Sequence, residues 1–484
     1  MIITALRNWR PAAGELVEWH PSDHAARVAA TSGPDPDPGT FLQDNHIRGL
    51  CATRHSTAPH TAYLAVSTEV DGALDAEAMG RALRRFVCRH AGMRTWFSTD
   101  GATVARHSVA ADDVAFEARR VGNTPGDKAF RDYALDRFSA EAVATSWPGF
   151  VLGAVARPES FTLYFACDHA LSDGASQALV LTELLDFYDS ETTGRALGPY
   201  TSMPTGGFPE YARAEHALAR TYDQHSPELR QWVETFRQHG NTMPRFPLDL
   251  GLAPGQTAPM HGIEFDLLGR AGSTAFAEVC RAAGGRYLAG VLAAVAVTDL
   301  ETAGRGEYYG MTVVSTRGLG DFLLTQGWLC NFAPLSFRVE DCASFTELVS
   351  RANAAYDRAI RLAGAPLSAV LSALLASGAD PRSVMTSPNM LSYLDFRRFP
   401  GAGTAPYERA MLFTGEGETA NASMWFNRDA DHLYLGCQSP FTPFAQRQLA
   451  RYHAHLRGVF ATVAATGDYP IGAGKEVALA RHHG

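Results

Sequence analysis

The residues best suited to chemistry in this chain are a histidine and an aspartate four positions apart. His169 and Asp173 stand in the string Asp168-His-Ala-Leu-Ser-Asp-Gly174. An imidazole exchanges a proton near neutral pH, so His169 is a candidate general base for a nucleophile that sheds a proton as it attacks. The alternative is a core histidine that donates to a backbone carbonyl. The aspartate and glycine that follow favour the catalytic interpretation.

The segments on either side of the motif are predicted to position the histidine. Residues 161–167 alternate aromatic and β-branched side chains, which is typical of a strand. Residues 175–188 repeat leucines at helical spacing. The pattern therefore predicts a strand, a tight turn and a helix, with His169 at the end of a buried strand that would fix it against a substrate.

The rest of the chain repeats an order of strand, helix and strand on both sides of a polar stretch. Residues 191–208 are rich in Gly, Pro, Ser and Thr and form the best candidate linker. We therefore expect an α/β protein with two lobes of similar build: an N-terminal lobe over residues 1–190, the linker, and a C-terminal lobe over residues 209–484.

Composition excludes several classes of protein. The 484 residues are 46% hydrophobic and 19% charged, which is ordinary globular composition, and the net charge of −9 argues against a general nucleic-acid binder. The seven cysteines are scattered and never form a CxxC pair, so neither a disulfide framework nor a zinc site is indicated. No apolar run approaches membrane-spanning length. We expect a soluble cytoplasmic protein with no metal and no tightly bound cofactor.

Four segments together resemble one family. The string from His169 to Gly174 resembles the HxxxDG motif of the condensation-domain superfamily of acyltransferases, which includes nonribosomal peptide synthetase condensation domains and polyketide-associated acyltransferases. Three further segments are similar to that family's RHExLRTxF, FGxxVSGR and GxFxNTLPL segments and stand in the family's order: 89–97, 309–317 and 327–335.

The N-terminal residues resemble the free-standing, polyketide-associated branch of the superfamily. Phe41-Leu-Gln-Asp-Asn-His46 carries part of this likeness, and Asp168 stands where peptide-forming domains usually have a second histidine. The resemblance implies two chloramphenicol-acetyltransferase-like lobes in a V-shaped pseudo-dimer, with His169 facing a substrate tunnel between them.

The resemblance implies an enzyme that makes an ester or an amide. The acyl donor would be a phosphopantetheine thioester, with a carrier protein preferred over coenzyme A, and the acceptor a hydroxyl or an amine, with the hydroxyl preferred. The alternative is a catalytically silent scaffold that recruits a carrier protein or a tailoring enzyme. The intact motif disfavours that alternative, and the absence of HxxH and HExxH spacing disfavours a metal enzyme.

The residues around His169 have several open interpretations. For Asp173 these are a helix cap, a charge relay, and the ion pair with Arg317 that the resemblance implies. Gly174 is either required close to the substrate, where no Cβ fits, or an ordinary turn glycine.

Three further residues lie in segments that resemble tunnel-facing ones: Asp168, Asn331 and Tyr393. For Asn331 and Tyr393 the alternative is buried packing with one hydrogen bond.

Overall fold

The computed structural model describes residues 1–52, 60–101, 103–124 and 127–472. The chain divides into two compact units, and each is assembled from separate stretches of sequence. The first unit contains Met1–Leu218, Ser315–Cys330 and Phe396–Gly415, and the second contains Ala219–Val314, Asn331–Asp395 and the chain from Glu416 onward.

Strands form the centre of both units. In chain order they are β1 (Ile2–Thr4), β2 (Gly14–Pro21), β3 (Tyr63–Asp71), β4 (Thr95–Thr99), β5 (Val104–Ser108), β6 (Phe116–Thr124), β7 (Phe150–Ala156), β8 (Ser160–Asp168), β9 (Ala258–Gly269), β10 (Glu307–Ser315), β11 (Cys330–Arg338), β12 (Met390–Asp395), β13 (Met411–Thr414), β14 (Glu418–Thr419), β15 (Ser423–Arg428) and β16 (His432–Pro440). One seven-stranded sheet has the order β1-β13-β3-β8-β7-β2-β6, and the other has the order β11-β10-β12-β15-β16-β9-β14.

Helices connect these strands. They are α1 (Asp23–Thr31), α2 (Phe41–Ala52), α3 (Ala76–Arg89), α4 (Asp127–Glu141), α5 (Gly174–Thr193), α6 (Pro199–Ser202), α7 (Phe208–Ala219), α8 (Pro227–Gln238), α9 (Arg270–Ala282), α10 (Tyr287–Ala303), α11 (Phe345–Leu362), α12 (Leu367–Ala376), α13 (Pro381–Val384), α14 (Ala405–Glu408) and α15 (Pro443–Thr466).

Helix α3 shows how local sequence sets these elements. Asp75 caps it by accepting a hydrogen bond of 2.9 Å from the Ala78 amide. The apolar residues recur at helical spacing, and Met79, Leu83 and Phe86 are fully buried. A short 3₁₀ turn then leads from the helix into β4, which is the helix and strand that the sequence predicts.

The α/β class and the two lobes are confirmed, but the structure divides the chain differently from the expected continuous ranges. Strand β13 lies between β1 and β3, so residues from the C-terminal half complete the first sheet. The first unit also continues through Leu218. Much of the expected linker is helical, since α5 extends to Thr193 and α6 and α7 follow. The pairing of β13 with β3 covers an edge of β3 that would otherwise expose unpaired backbone groups. The tunnel stays a prediction.

Within the described ranges, no single helix is long and apolar enough to cross a membrane. Two helix pairs reach the required length and apolarity only when joined, and each pair is bent by more than 90° (95° for α9 with α10, 94° for α11 with α12).

Candidate active site

His169 lies directly after the central strand of the first sheet. Strand β8 is paired with β3 on one side and β7 on the other, and residues from Phe161 to Asp168 are buried. His169 opens a 3₁₀ turn, and its backbone N–H donates to the carbonyl of Ala62 at 2.9 Å. Helix α5 begins at Gly174. The predicted order of strand, turn and helix is confirmed.

The imidazole of His169 is partly buried against an indole. Its ring centroid is 4.1 Å from that of Trp328, with the planes tilted by 43°. Nδ1 is buried and has no hydrogen-bond partner among the described residues. Burial lowers the pKa of His169 and the neighbouring His46 lowers it further, while Asp168 and Asp173 act in the opposite direction. The net lowering favours a neutral imidazole at neutral pH, which is the form a general base needs.

Asp173 is a structural anchor. Its Oδ1 accepts from Arg317 at 2.7 Å and from the Ser176 amide at 2.7 Å, and its Oδ2 accepts from the Leu329 amide at 2.9 Å. Both the helix cap and the ion pair implied by the resemblance are therefore present. Because these donors occupy both carboxylate oxygens, the geometry favours a structural role over a charge relay.

Arg317 holds the segment 315–330 against the start of α5. Besides Asp173, its guanidinium donates to the hydroxyl of Ser176 at 2.8 Å and to the carbonyl of Thr325. The Ser176 hydroxyl donates in turn to the Gly327 carbonyl at 2.8 Å. This network fixes the backbone next to Trp328, and so it positions the indole that contacts His169.

A second clamp comes from the segment that resembles the RHExLRTxF motif. Arg89 Nε and His90 Nε2 lie 2.9 Å and 2.5 Å from the two carboxylate oxygens of Glu183 on α5. His90 Nδ1 accepts a long hydrogen bond of 3.4 Å from the Gln326 amide. These residues join α3, α5 and the segment 315–330, so their role in the structure is to brace the motif.

The resemblance implied that the side chain of Asp168 faces a tunnel. The structure instead shows Asp168 fully buried, with 0% exposure. Its Oδ1 accepts from the Ala170 amide at 2.7 Å and lies 2.8 Å from His46 Nε2, while its Oδ2 accepts from the Ala144 amide at 2.9 Å and lies 3.3 Å from His60 Nε2. Burial raises the pKa of Asp168, but the two imidazoles outweigh burial and hold that pKa well below its usual range. The buried carboxylate is a charged anchor for the turn.

Gly174 and Cys167 have simple structural environments. Gly174 is the first residue of α5 and does not have a positive φ, so the backbone conformation alone does not require glycine there. The Cys167 thiol is buried and accepts a hydrogen bond of 3.3 Å from Gln177. Burial raises the pKa of this thiol to about 12, so it remains protonated and is a poor nucleophile.

Asn331 and Tyr393 belong to the second unit. The Asn331 amide donates to the carbonyls of Ala363 and Ala365 at 2.8 Å and 2.7 Å, which matches the alternative of buried packing. Tyr393 lies on β12, and its ring stacks on Tyr287 with centroids 5.8 Å apart. Neither residue lies in the unit that contains His169.

Sequence reasoning assigned no role to three residues near the motif: Trp328, His46 and His60. The contact of His46 with Asp168 spans 122 positions, and no local periodicity reports such a contact. One signal was available, because an aspartate at the end of a buried strand needs several donors. The sequence does not say which side chains supply them.

The family model and the relatives that match this chain agree with one another. The model of the condensation domain matches residues 48–390. The acyltransferase PapA3 of Mycobacterium tuberculosis is 27% identical over 489 residues, which cover 97% of this chain and 98% of that protein. The 2'-acyl-2-O-sulfo-trehalose (hydroxy)phthioceranyltransferase PapA1 of the same organism is 29% identical over 371 residues, covering 76% of this chain and 71% of that protein.

Solved structures show the same fold. The structure of the PapA2 acyl transferase matches with a TM-score of 0.84 at 22% identity, covering 96% of this chain and 100% of that one. The first condensation domain of the calcium-dependent antibiotic synthetase matches with a TM-score of 0.65 at 18% identity, covering 90% and 99%. The two-lobed, chloramphenicol-acetyltransferase-like fold is therefore shared with free-standing and synthetase-borne condensation proteins.

Proposed function

Since the chain belongs to the condensation-domain family and is an acyltransferase, we propose that it forms an ester between a thioester-activated acyl group and a hydroxyl, with His169 as the general base. The observation that carries this proposal is the placement of His169. Its imidazole stands at the end of a buried central strand, keeps partial exposure and has a lowered pKa.

The proposed reaction needs one proton acceptor. The acceptor hydroxyl gives its proton to Nε2 of His169 as its oxygen attacks the thioester carbonyl, since Nδ1 is buried. The tetrahedral intermediate then expels the thiolate, which receives the proton from the imidazolium. The acyl group never resides on the protein, which agrees with the raised pKa of the Cys167 thiol.

The acceptor and donor follow from chemistry and from the relatives. PapA1 is named for acyl transfer onto a sulfated trehalose, and PapA2 of Mycobacterium bovis is named a trehalose-2-sulfate acyltransferase. By analogy we propose a hydroxyl acceptor on a small polar molecule, with an amine as the alternative. We propose a phosphopantetheine thioester as the donor, on a carrier protein in preference to coenzyme A.

Replacing His169 tests the proposal directly. Wild type and His169→Ala are incubated with a thioester donor and with a matched alcohol and amine. Because the base is lost while the fold remains, we expect ester formation to fall by roughly 10²–10⁴-fold. The control is His24→Ala, an exposed histidine in the same unit that pairs with Asp113.

Three results would count against this function. Equal turnover by wild type and His169→Ala on every acceptor would remove the base mechanism. A loss confined to amide formation would favour the amine acceptor. A wild-type protein that binds a loaded carrier protein and transfers nothing would favour the silent scaffold.

A further inference from the structure

The network around Asp168 contains an imidazole that the reaction described above does not use. We propose that His46, anchored by Asp168, is a positioning residue that fixes the imidazole of His169 for catalysis. The inference rests on the proposed role of His169 as general base. It is supported by three sets of contacts, all within the first unit.

The first set fixes the backbone at His169. Asp168 immediately precedes His169, and its Oδ1 is shared between the Ala170 amide on the far side of His169, at 2.7 Å, and His46 Nε2, at 2.8 Å. The Asp168 side chain is thus hydrogen-bonded to the backbone on the other side of His169, and this bond restrains the turn. Without the His46 donor, a fully buried charge loses its nearest side-chain partner, and the turn that carries His169 loses a restraint.

The second set fixes the ring of His169. The Trp328 indole contacts both imidazoles, with ring centroids 4.1 Å from His169 and 6.0 Å from His46. The His46 ring meets the indole edge to face, at an interplanar angle of 82°. His46 therefore holds the turn through Asp168 and supports the indole on which the His169 ring rests.

The third set is electrostatic. Among the described residues, the charged and titratable groups that act on the pKa of His169 include His46 on α2, Asp168 at the end of β8, and Asp173 at the start of α5. Arg317 offsets Asp173, and His60 lies beside Asp168. The charge interaction with His46 lowers the pKa of His169, whereas Asp168 raises it. Removing the His46 imidazole should therefore raise the pKa of His169.

The test uses the full chain and three variants. His46→Gln removes the imidazole and keeps a polar side chain, and His46→Lys places a cationic donor at the same position. The matched control, His24→Gln, removes an imidazole whose Nε2 is 3.0 Å from Asp113 but which is 62% exposed. Two quantities are measured against pH: kcat for ester formation, and the rate at which diethylpyrocarbonate modifies His169, followed by peptide mass spectrometry.

We expect His46→Gln to lower kcat by roughly 10–100-fold at pH 7 with a smaller change in KM, because the base is misplaced rather than removed. The acid limb of kcat and the modification curve of His169 should both move to higher pH, by roughly one unit. His46→Lys should move the modification curve back toward wild type. His24→Gln should match wild type in both measurements.

The modification curve needs no turnover, so it separates this inference from the proposed function. An unshifted His169 curve in His46→Gln overturns the positioning role, and it does so even if kcat falls, because that combination assigns His46 to stability alone. If the wild-type protein has no transferase activity, the proposed function is wrong. The pH dependence of His169 modification then still tests the role of His46. If His46→Gln does not fold, Asp168→Asn tests the same contact from its other end. This variant removes the carboxylate that raises the pKa of His169, so kcat should fall while the modification curve moves to lower pH. A wild-type kcat in Asp168→Asn would overturn the positioning role.

Discussion

At the scale of single residues, the pair of Asp173 and Arg317 should carry stability as well as activity. Asp173→Ala removes a helix cap, an acceptor for the Leu329 amide and the partner of a buried guanidinium. We expect a loss of roughly 3–5 kcal/mol, because breaking a buried pair leaves an uncompensated charge. Thermal and urea unfolding would measure it, and turnover should fall in parallel.

A matched control exists in the same unit. Asp71 forms a bidentate pair with Arg409 at 2.8 Å and 3.1 Å, but the Asp71 side chain is 77% exposed. Water screens such a pair, so Asp71→Ala should leave the unfolding midpoint nearly unchanged. A well-folded Asp173→Ala protein of wild-type stability that has lost only its turnover would instead point to a direct chemical role for Asp173.

At the scale of elements, one carboxylate joins β2, β8 and α4. Glu18 on β2 accepts from the hydroxyls of Tyr133 and Tyr164 at 2.9 Å and 3.0 Å, and it lies 2.9 Å from Arg137. Burial raises the pKa of Glu18, but His20, Arg137 and the two tyrosines outweigh it, so the folded pKa lies below the ordinary value of 4.5. Its stabilising contribution is complete above pH 4.5 and is lost as the pH falls through the lower folded value.

Glu18→Gln should therefore lower stability by roughly 1.5–3 kcal/mol at pH 7, the range for hydrogen bonds to a charged group. The difference from wild type should shrink as the pH falls from 4.5 through the lower folded pKa, because the wild-type carboxylate then becomes protonated as well. Thermal melts of both proteins at pH values from about 3 to about 7, which bracket the ordinary carboxyl pKa, would measure this difference in stability. Glu141→Gln is the control, because Glu141 pairs with the same Arg137 from the surface. A difference that is constant with pH would contradict the assignment.

At the scale of the whole molecule, the first unit depends on a strand from far along the chain. Phe413 on β13 is 1% exposed and packs in the cluster that contains Trp9 and Tyr164, with the Trp9 ring 5.3 Å away. Phe413→Ala should cost roughly 3–5 kcal/mol, the usual penalty for emptying such a site. Hydrogen exchange should report faster opening in β3 and β8, which belong to the same sheet.

Phe441 provides the comparison for that experiment. It is 60% exposed, so Phe441→Ala should change the unfolding midpoint little. If Phe413→Ala loosened only the second unit, the chain would not be divided between the units as the structure shows.

The sequence determined the elements around His169 because their signals are local. Alternating side chains identified β8, leucines at helical spacing identified α5, and the motif between them identified the turn. The order of four separated motifs also indicated the family, which the match over residues 48–390 confirms. The pair of Asp173 and Arg317 came from that resemblance, and periodicity alone would not have found it.

Tertiary structure decided how distant segments meet. The chain order gave no reason to place β13 inside the first sheet, because pairing with β3 depends on a free edge that exists only after folding. It likewise gave no partners for Asp168, since His46 and Trp328 reach the turn across 122 and more positions. Local patterns fix which residues form a strand or a helix, whereas the partners of a buried charge are fixed by packing in three dimensions.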